Sequence, residues 1–100
     1  MVKTDHLDFM LEWLKSHKGR LRSDYGVVQI GLFGSWVTGT QRPDSDVDVL
    51  VTFESPSFDH YMDLKFLLEE VFGRRVDLVM EGALKPRLRK HILDEVRYAA

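Results

Sequence analysis

Three aspartates, Asp46, Asp48 and Asp77, have the residue type and spacing for chemistry on phosphates with divalent metal. Asp46 and Asp48 stand in the run PDSDVDVLV; in extended chain they share one face, roughly 6–7 Å apart along it. Acids at the mouth of an apolar run are costly to keep charged unless water or a cation meets them. Three that converge repel one another and stay ionised at neutral pH only beside cations. An all-oxygen ligand set of this kind suits Mg²⁺ or Mn²⁺. Two such ions roughly 3.5–4 Å apart form the clamp used in phosphoryl and nucleotidyl transfer.

Phosphates also need donors that can come close, and Gly34-Ser35 supplies a candidate. If a helical turn begins there, its first N–H groups are free to meet an anion. Gly34 lets the backbone approach without a Cβ, and Ser35 adds a hydroxyl. Each feature alone has a simpler reading. Glycine commonly ends strands, PDSDVD alone is a turn before solvent-facing acids, and Asp77 could pair with Arg74 or Arg75. Their combination carries the site. It is neither a P-loop nor a dinucleotide fingerprint, since no Gly-Lys-Ser/Thr and no G-x-G-x-x-G is present.

The elements that must position these residues follow from periodicity. Leu7, Met10, Leu11 and Leu14 predict an amphipathic helix over about residues 4–18, capped by Thr4 or Asp5 and ended by Gly19. VVQIGLF, 27–33, reads as a strand, SWVTGT as a helical turn ending at Gly39, and VDVLVTF, 47–53, as a second strand. Asp44 belongs to the turn QRPDS between them. HYMDLKFLLEEVFG reads as a buried helix with Gly73 as its C-cap, and RRVDLVM as a third strand. Leu84, Leu88, Ile92 and Val96 mark a last helix with Pro86 in its first turn. Residues 47–80 have the size of a β–α–β unit, which makes the second and third strands parallel and puts Asp48 and Asp77 at one sheet edge. The short link through Gly39 makes the first and second strands antiparallel, bringing Gly34-Ser35 to that same edge. The expected fold is α/β, a small mixed sheet packed with helices in the order αβ(α)βαβα.

One hundred residues with 44% apolar content make a single domain, 1–100, with one core and no second domain to enclose a large substrate. A net charge of −2 argues against a dedicated nucleic-acid binder, and the lack of cysteine excludes disulfides and thiolate sites. No apolar run approaches the length of a membrane span and no signal-peptide core opens the chain, so a cytoplasmic protein is expected. The basic run KPRLRKH, 85–91, reads as a solvated helix face or as a surface for phosphates, RNA or an acidic partner. The four histidines lack ligand spacing and are expected at the surface; Trp13 and Trp36 are expected in packing, with Trp36 alternatively near a nucleotide or partner.

Gly34-Ser35, a spacer, Asp46-Val47-Asp48 and a later strand aspartate, Asp77, together resemble the nucleotidyltransferase superfamily that includes DNA polymerase beta and the aminoglycoside nucleotidyltransferases. The whole chain is similar to the minimal nucleotidyltransferases, with their Gly-Ser-x-x-x-Gly turn, PDSD run and VDLV strand. Many of these are antitoxins paired with an all-helical HEPN toxin, and some transfer AMP from ATP onto it. The resemblance implies that Gly34 and Ser35 hold the triphosphate, that Asp46 and Asp48 bridge two Mg²⁺ ions, and that Asp77 ligates the ion nearer the acceptor. Many antitoxin members carry arginine immediately before the second glycine of the turn. Here that residue is Thr38, and Arg42 is close enough in sequence to substitute. The implied activity is AMP transfer to a toxin hydroxyl. The alternative is a non-catalytic antitoxin acting by contact, with transfer to a small molecule a third reading. Homo-oligomers are compatible with each.

Overall fold

Alternation decides which way the second strand faces. In the computed structural model, which describes residues 6–99, strand β1 spans Val27–Phe33 and β2 spans Val47–Phe53. Val47, Val49, Val51 and Phe53 enter the core cluster beneath the helices. Asp48, Leu50 and Thr52, at the intervening positions, therefore face the other side of the sheet. β1 runs antiparallel to β2 with Phe33 opposite Asp48. β3 (Val76–Met80) runs parallel to β2, with Asp48 in register with Asp77. A two-residue strand, β4 (Arg97–Tyr98), pairs antiparallel with β1 at Gly31 and Leu32, giving the order β3-β2-β1-β4. The sheet is mixed, as the sequence implies, and β4 is an element that periodicity did not reveal.

Helix α1 (His6–Ser16) buries Leu7, Met10, Leu11 and Leu14, the expected stripe. The single helix expected over about 4–18 is in fact two, because the chain bends at His17 and resumes as α2 (Lys18–Tyr25). α2 runs through Gly19 instead of stopping there. Burial of Leu21 offsets the roughly 1 kcal/mol that glycine costs inside a helix. The caps expected at Thr4 and Asp5 lie outside the described residues. After β1 comes one helical turn, α3 (Ser35–Thr38), closed by Gly39 as expected.

Helix α4 (Phe58–Phe72) crosses from β2 to β3, with Ser57 Oγ accepting the His60 N–H at 3.1 Å and Gly73 as C-cap. Leu64, Leu68 and Phe72 lie on its buried side. α4 also grips the strand that carries Asp77. Glu69 Oε2 accepts the Val76 N–H at 3.0 Å, and the Tyr61 hydroxyl donates to the Leu78 carbonyl at 2.6 Å. These two bonds flank Asp77.

After a 3-10 turn (Glu81–Ala83), α5 (Pro86–Glu95) carries Pro86 at its start. Its apolar stripe stays near the surface: no α5 residue is fully buried and Leu88 is 45% exposed. Within the basic run, Arg89 pairs with Glu81 and Lys90 with Asp94, both as solvent-facing contacts. The histidines depart from expectation. Only His91 is exposed; His6, His17 and His60 are half-buried, with ring centroids 5.3 Å from Trp36, 4.1 Å from Trp13 and 6.5 Å from Phe53. Among the described residues no helix is long and apolar enough to cross a bilayer.

β4 can lie on β1 only because residue 31 has no side chain. A Cβ there would stand 2.8 Å from the Arg97 carbonyl oxygen and 2.9 Å from Val96 Cγ2. Ala99 N–H continues the pairing onto the Ile30 carbonyl at 2.9 Å. Gly31→Ala should destabilise the chain by about 1–3 kcal/mol and release β4. Urea denaturation with hydrogen exchange at Tyr98 and Ala99 measures both.

Candidate active site

The register of β2 and β3 sets Asp48 and Asp77 side by side on adjacent strands, about 4.8 Å apart in the hydrogen-bonding direction. The Asp77 carboxylate is close enough to oppose ionisation of Asp48. Asp48 is half-buried, whereas Asp77 and Asp46 are exposed. Asp46 stands one residue before β2, where the Val47 N–H reaches back to the Arg75 carbonyl at 2.9 Å.

Gly34 closes the site from β1. It has φ +79° and ψ −156°, a conformation for glycine, and a Cβ there would fall on the Asp48 carboxylate, 2.8 Å from its Cγ. Its N–H donates to Glu95 Oε2 at 3.2 Å, so a fourth carboxylate, from the end of α5, reaches the site. Beyond Gly34 the N–H groups of Val37 and Thr38 return to the Gly34 carbonyl, and those of Gly39 and Thr40 to the Ser35 carbonyl. Among the described residues the N–H groups of Ser35 and Trp36, at the start of the turn, return to no such carbonyl.

The electrostatics are those of a site with too much negative charge. Burial pushes the Asp48 carboxyl up from 3.8 to about 6, and Asp77, Asp46 and Glu95 push it in the same direction. Hard oxygen donors that repel one another fit Mg²⁺ or Mn²⁺, because a cation relieves the repulsion. Among the described residues no three His, Asp or Glu side chains close into a preformed metal cage. That openness also suits Mg²⁺, which is held by one or two carboxylates together with water and substrate phosphates.

Of the residues singled out by the sequence, Gly34, Asp48 and Asp77 are brought into contact or register, with Ser35 and Asp46 next to them. Among the described residues Arg42 makes no side-chain hydrogen bond or ion pair with the Gly34 turn. Its backbone closes a local turn, donating to Ser45 Oγ at 2.7 Å and accepting from the Ser45 N–H at 3.0 Å, and its side chain is exposed. Thr38 Oγ1 lies 2.9 Å from Thr40 Oγ1 and closes the end of α3. Asp77 forms no ion pair with Arg74 or Arg75 among the described residues. Arg74 instead lies 4.6 Å over the buried Trp36 ring and donates to the Pro43 carbonyl, bracing the turn that leads to Asp46. A cleft of about 450 Å³ between this turn and Gly73–Arg75 opens beside Asp46. A larger groove, about 600 Å³ along α1, is lined by none of Asp46, Asp48, Asp77 and Glu95. Sequence reasoning named Arg74 only as a partner for Asp77 and missed Glu95. Glu95 is 61 residues from its partner and ends an exposed helix, so no local pattern marks it.

The sequence profile of the family described as "Nucleotidyltransferase domain" matches residues 14–99. The chain belongs to this nucleotidyltransferase family. The nucleotidyltransferase is 49% identical over 86 residues to protein adenylyltransferase MntA of Thermococcus cleftensis, covering 85% of this chain and 87% of that protein. Its fold is similar to a solved structure described as a candidate minimal nucleotidyltransferase, with a TM-score of 0.75, 36% identity and 97% and 98% of the two chains covered. The fold also matches, at TM-score 0.62 and 18% identity over 90% of this chain and 71% of the other, a chain from the tri-AMPylated Shewanella oneidensis HEPN toxin in complex with MNT antitoxin.

The raised Asp48 pKa has a definite sign in stability. Between 3.8 and about 6 the native state keeps a proton that the unfolded chain has released. The stabilisation is full below that window and is lost as pH rises through about 6. Asp48→Asn removes the titration. Without divalent cations, its stability relative to the parent should be greater at pH 7.5 than at pH 4 by about 1 kcal/mol, a figure reduced for the partial exposure of the carboxyl. Urea denaturation at both pH values measures it.

Proposed function

We propose that this nucleotidyltransferase moves AMP from ATP to a hydroxyl of a protein partner, an all-helical HEPN-type toxin, and thereby acts as its antitoxin. The observation that carries this reading is the in-register pair Asp48 and Asp77 closed by the Gly34 turn. The 49% identity with a protein adenylyltransferase supports the nucleotide and the class of acceptor.

Asp46 and Asp48 would hold two Mg²⁺ ions, and Asp77 would share the one nearer the acceptor. Bound there, the ions neutralise phosphate charge and stabilise the attacking and leaving oxygens. The chain's own residues supply position. Ser35, with its hydroxyl and free N–H, and the Trp36 N–H meet the triphosphate at the turn. The acceptor oxygen bonds to the α-phosphorus as the bond to the pyrophosphate oxygen breaks. Asp77, exposed on β3, faces an acceptor arriving from solvent and helps to take its proton. An open sheet edge suits a tyrosine, serine or threonine presented by another protein, since Asp46 and Asp77 are exposed to solvent there.

The test follows label from ATP marked at the α-phosphate onto a HEPN-type partner co-expressed with the chain. Asp46→Ala and Asp77→Ala should each lower transfer by roughly a hundredfold or more with circular dichroism and melting unchanged. Label reaching the partner at the parental rate in either variant would sink the assignment. If the triple Asp→Ala chain still neutralises the partner, and intact mass shows no added AMP in the parental pair, the chain acts by binding alone.

A further inference from the structure

Among the described residues Glu95 is the carboxylate that reaches the site from outside the stretch 46–80. It arrives from the far end of the chain and is held by two features of the fold. α5 stops at Glu95, where Val96 turns extended at φ −61° and ψ 138°. Arg97 and Tyr98 then pair with β1 at Leu32 and Gly31, two and three residues before Gly34. The pairing is tight, because Arg97 and Val96 fill the space that a side chain at residue 31 would need. The C-terminal segment is thus fastened to the strand whose end forms the phosphate turn, and Glu95 is delivered to that turn.

There it meets a backbone that needs support. The conformation of Gly34, φ +79° with ψ −156°, persists only where the surroundings determine it. The carbonyl side is fixed by Val37 and Thr38 N–H at 3.0 and 3.1 Å, and the N–H side by Glu95 Oε2 at 3.2 Å. A carboxylate accepting from a backbone N–H is among the stronger hydrogen bonds available to a protein. The fold keeps it despite placing another negative charge beside Asp48.

We propose that Glu95 is a positioning residue: by holding the Gly34 N–H it sets the Gly34–Ser35 turn against Asp48 and aims the Ser35 and Trp36 donors at the nucleotide. It acts through the turn and does not touch substrate. Its effect belongs to nucleotide affinity, and what it needs is an acceptor oxygen, not a charge. The inference rests on the nucleotide-binding role proposed above for that turn.

Glu95→Ala and Glu95→Gln separate the two requirements, because the glutamine amide retains an oxygen that can accept from Gly34. The probe is AMP-PNP with Mg²⁺, its Kd measured by calorimetry, alongside exchange of the Gly34 amide measured by NMR without nucleotide. Glu95→Ala should weaken AMP-PNP binding roughly tenfold and speed Gly34 exchange, while Glu95→Gln restores both to within about threefold of the parent. Three results overturn the proposal: unchanged affinity in Glu95→Ala, tighter binding in Glu95→Ala, which would make Glu95 a competitor of phosphate, or a glutamine variant as weak as the alanine one. If the alanine variant is unfolded by circular dichroism, the glutamine variant decides, parental affinity and Gly34 exchange being expected and loss of either overturning the idea. Should the parental protein fail to bind AMP-PNP, the proposed function fails. The positioning claim would then be judged on Gly34 exchange alone.

Discussion

Two carboxylates placed in register on adjacent parallel strands repel each other, and that repulsion grows as water is withdrawn from Asp48. Left to itself the chain would relieve it by slipping or parting β2 and β3. A slip of one residue is blocked from the other face of the sheet, because it would turn Val47, Val49, Val51 and Phe53 out of the core. Burying each of these side chains stabilises by about 1.5–3 kcal/mol, so together they outweigh the repulsion of one half-exposed acid pair. Parting is opposed by the Val47–Arg75 bond at the strand starts and by Glu69 and Tyr61 on either side of Asp77. The apolar face holds the polar face in a state that the polar face alone would leave.

The result is a concentration of negative charge with donors beside it and little enclosure. At neutral pH a divalent cation relieves such a cluster, and a phosphate chain is a natural companion for that cation. Among the described residues α1 and α4 pack on the core face of the sheet, while Asp46 and Asp77 stay open to solvent.

How much of this was legible in the sequence varies with range. The stretch 27–53 and the β–α–β unit were readable because their signals are local: period two in VDVLVTF, Gly39 and Gly73 at helix ends, and a link of the right length. Those signals sufficed to bring Asp48 and Asp77 to one sheet edge, and the register of β2 and β3 then sets them side by side. The break at His17 was not readable, since Leu21 outweighs Gly19 only once a core exists to bury it. Nor was β4, whose two residues carry no period and which depends on the bare backbone of Gly31, sixty-six positions before Arg97. The stripe on α5 was genuine as a helix signal, but it did not measure depth of burial. Arg42 was favoured by nearness in sequence; the guanidinium that lies over Trp36 belongs to Arg74.

The union of β4 with β1 also has a meaning in time. A chain emerging in order of synthesis has made both strand aspartates by residue 77, and can pair β1, β2 and β3 from contacts that are nearly sequential. Glu95 and its bond to Gly34 come later and span 61 residues. Contacts of such separation close late because the intervening loop must first be ordered. The aspartates are thus set by nearly sequential contacts and the Gly34–Glu95 bond by a distant one. A chain lacking residues 95–98 would retain every aspartate and lose the carboxylate that accepts from Gly34.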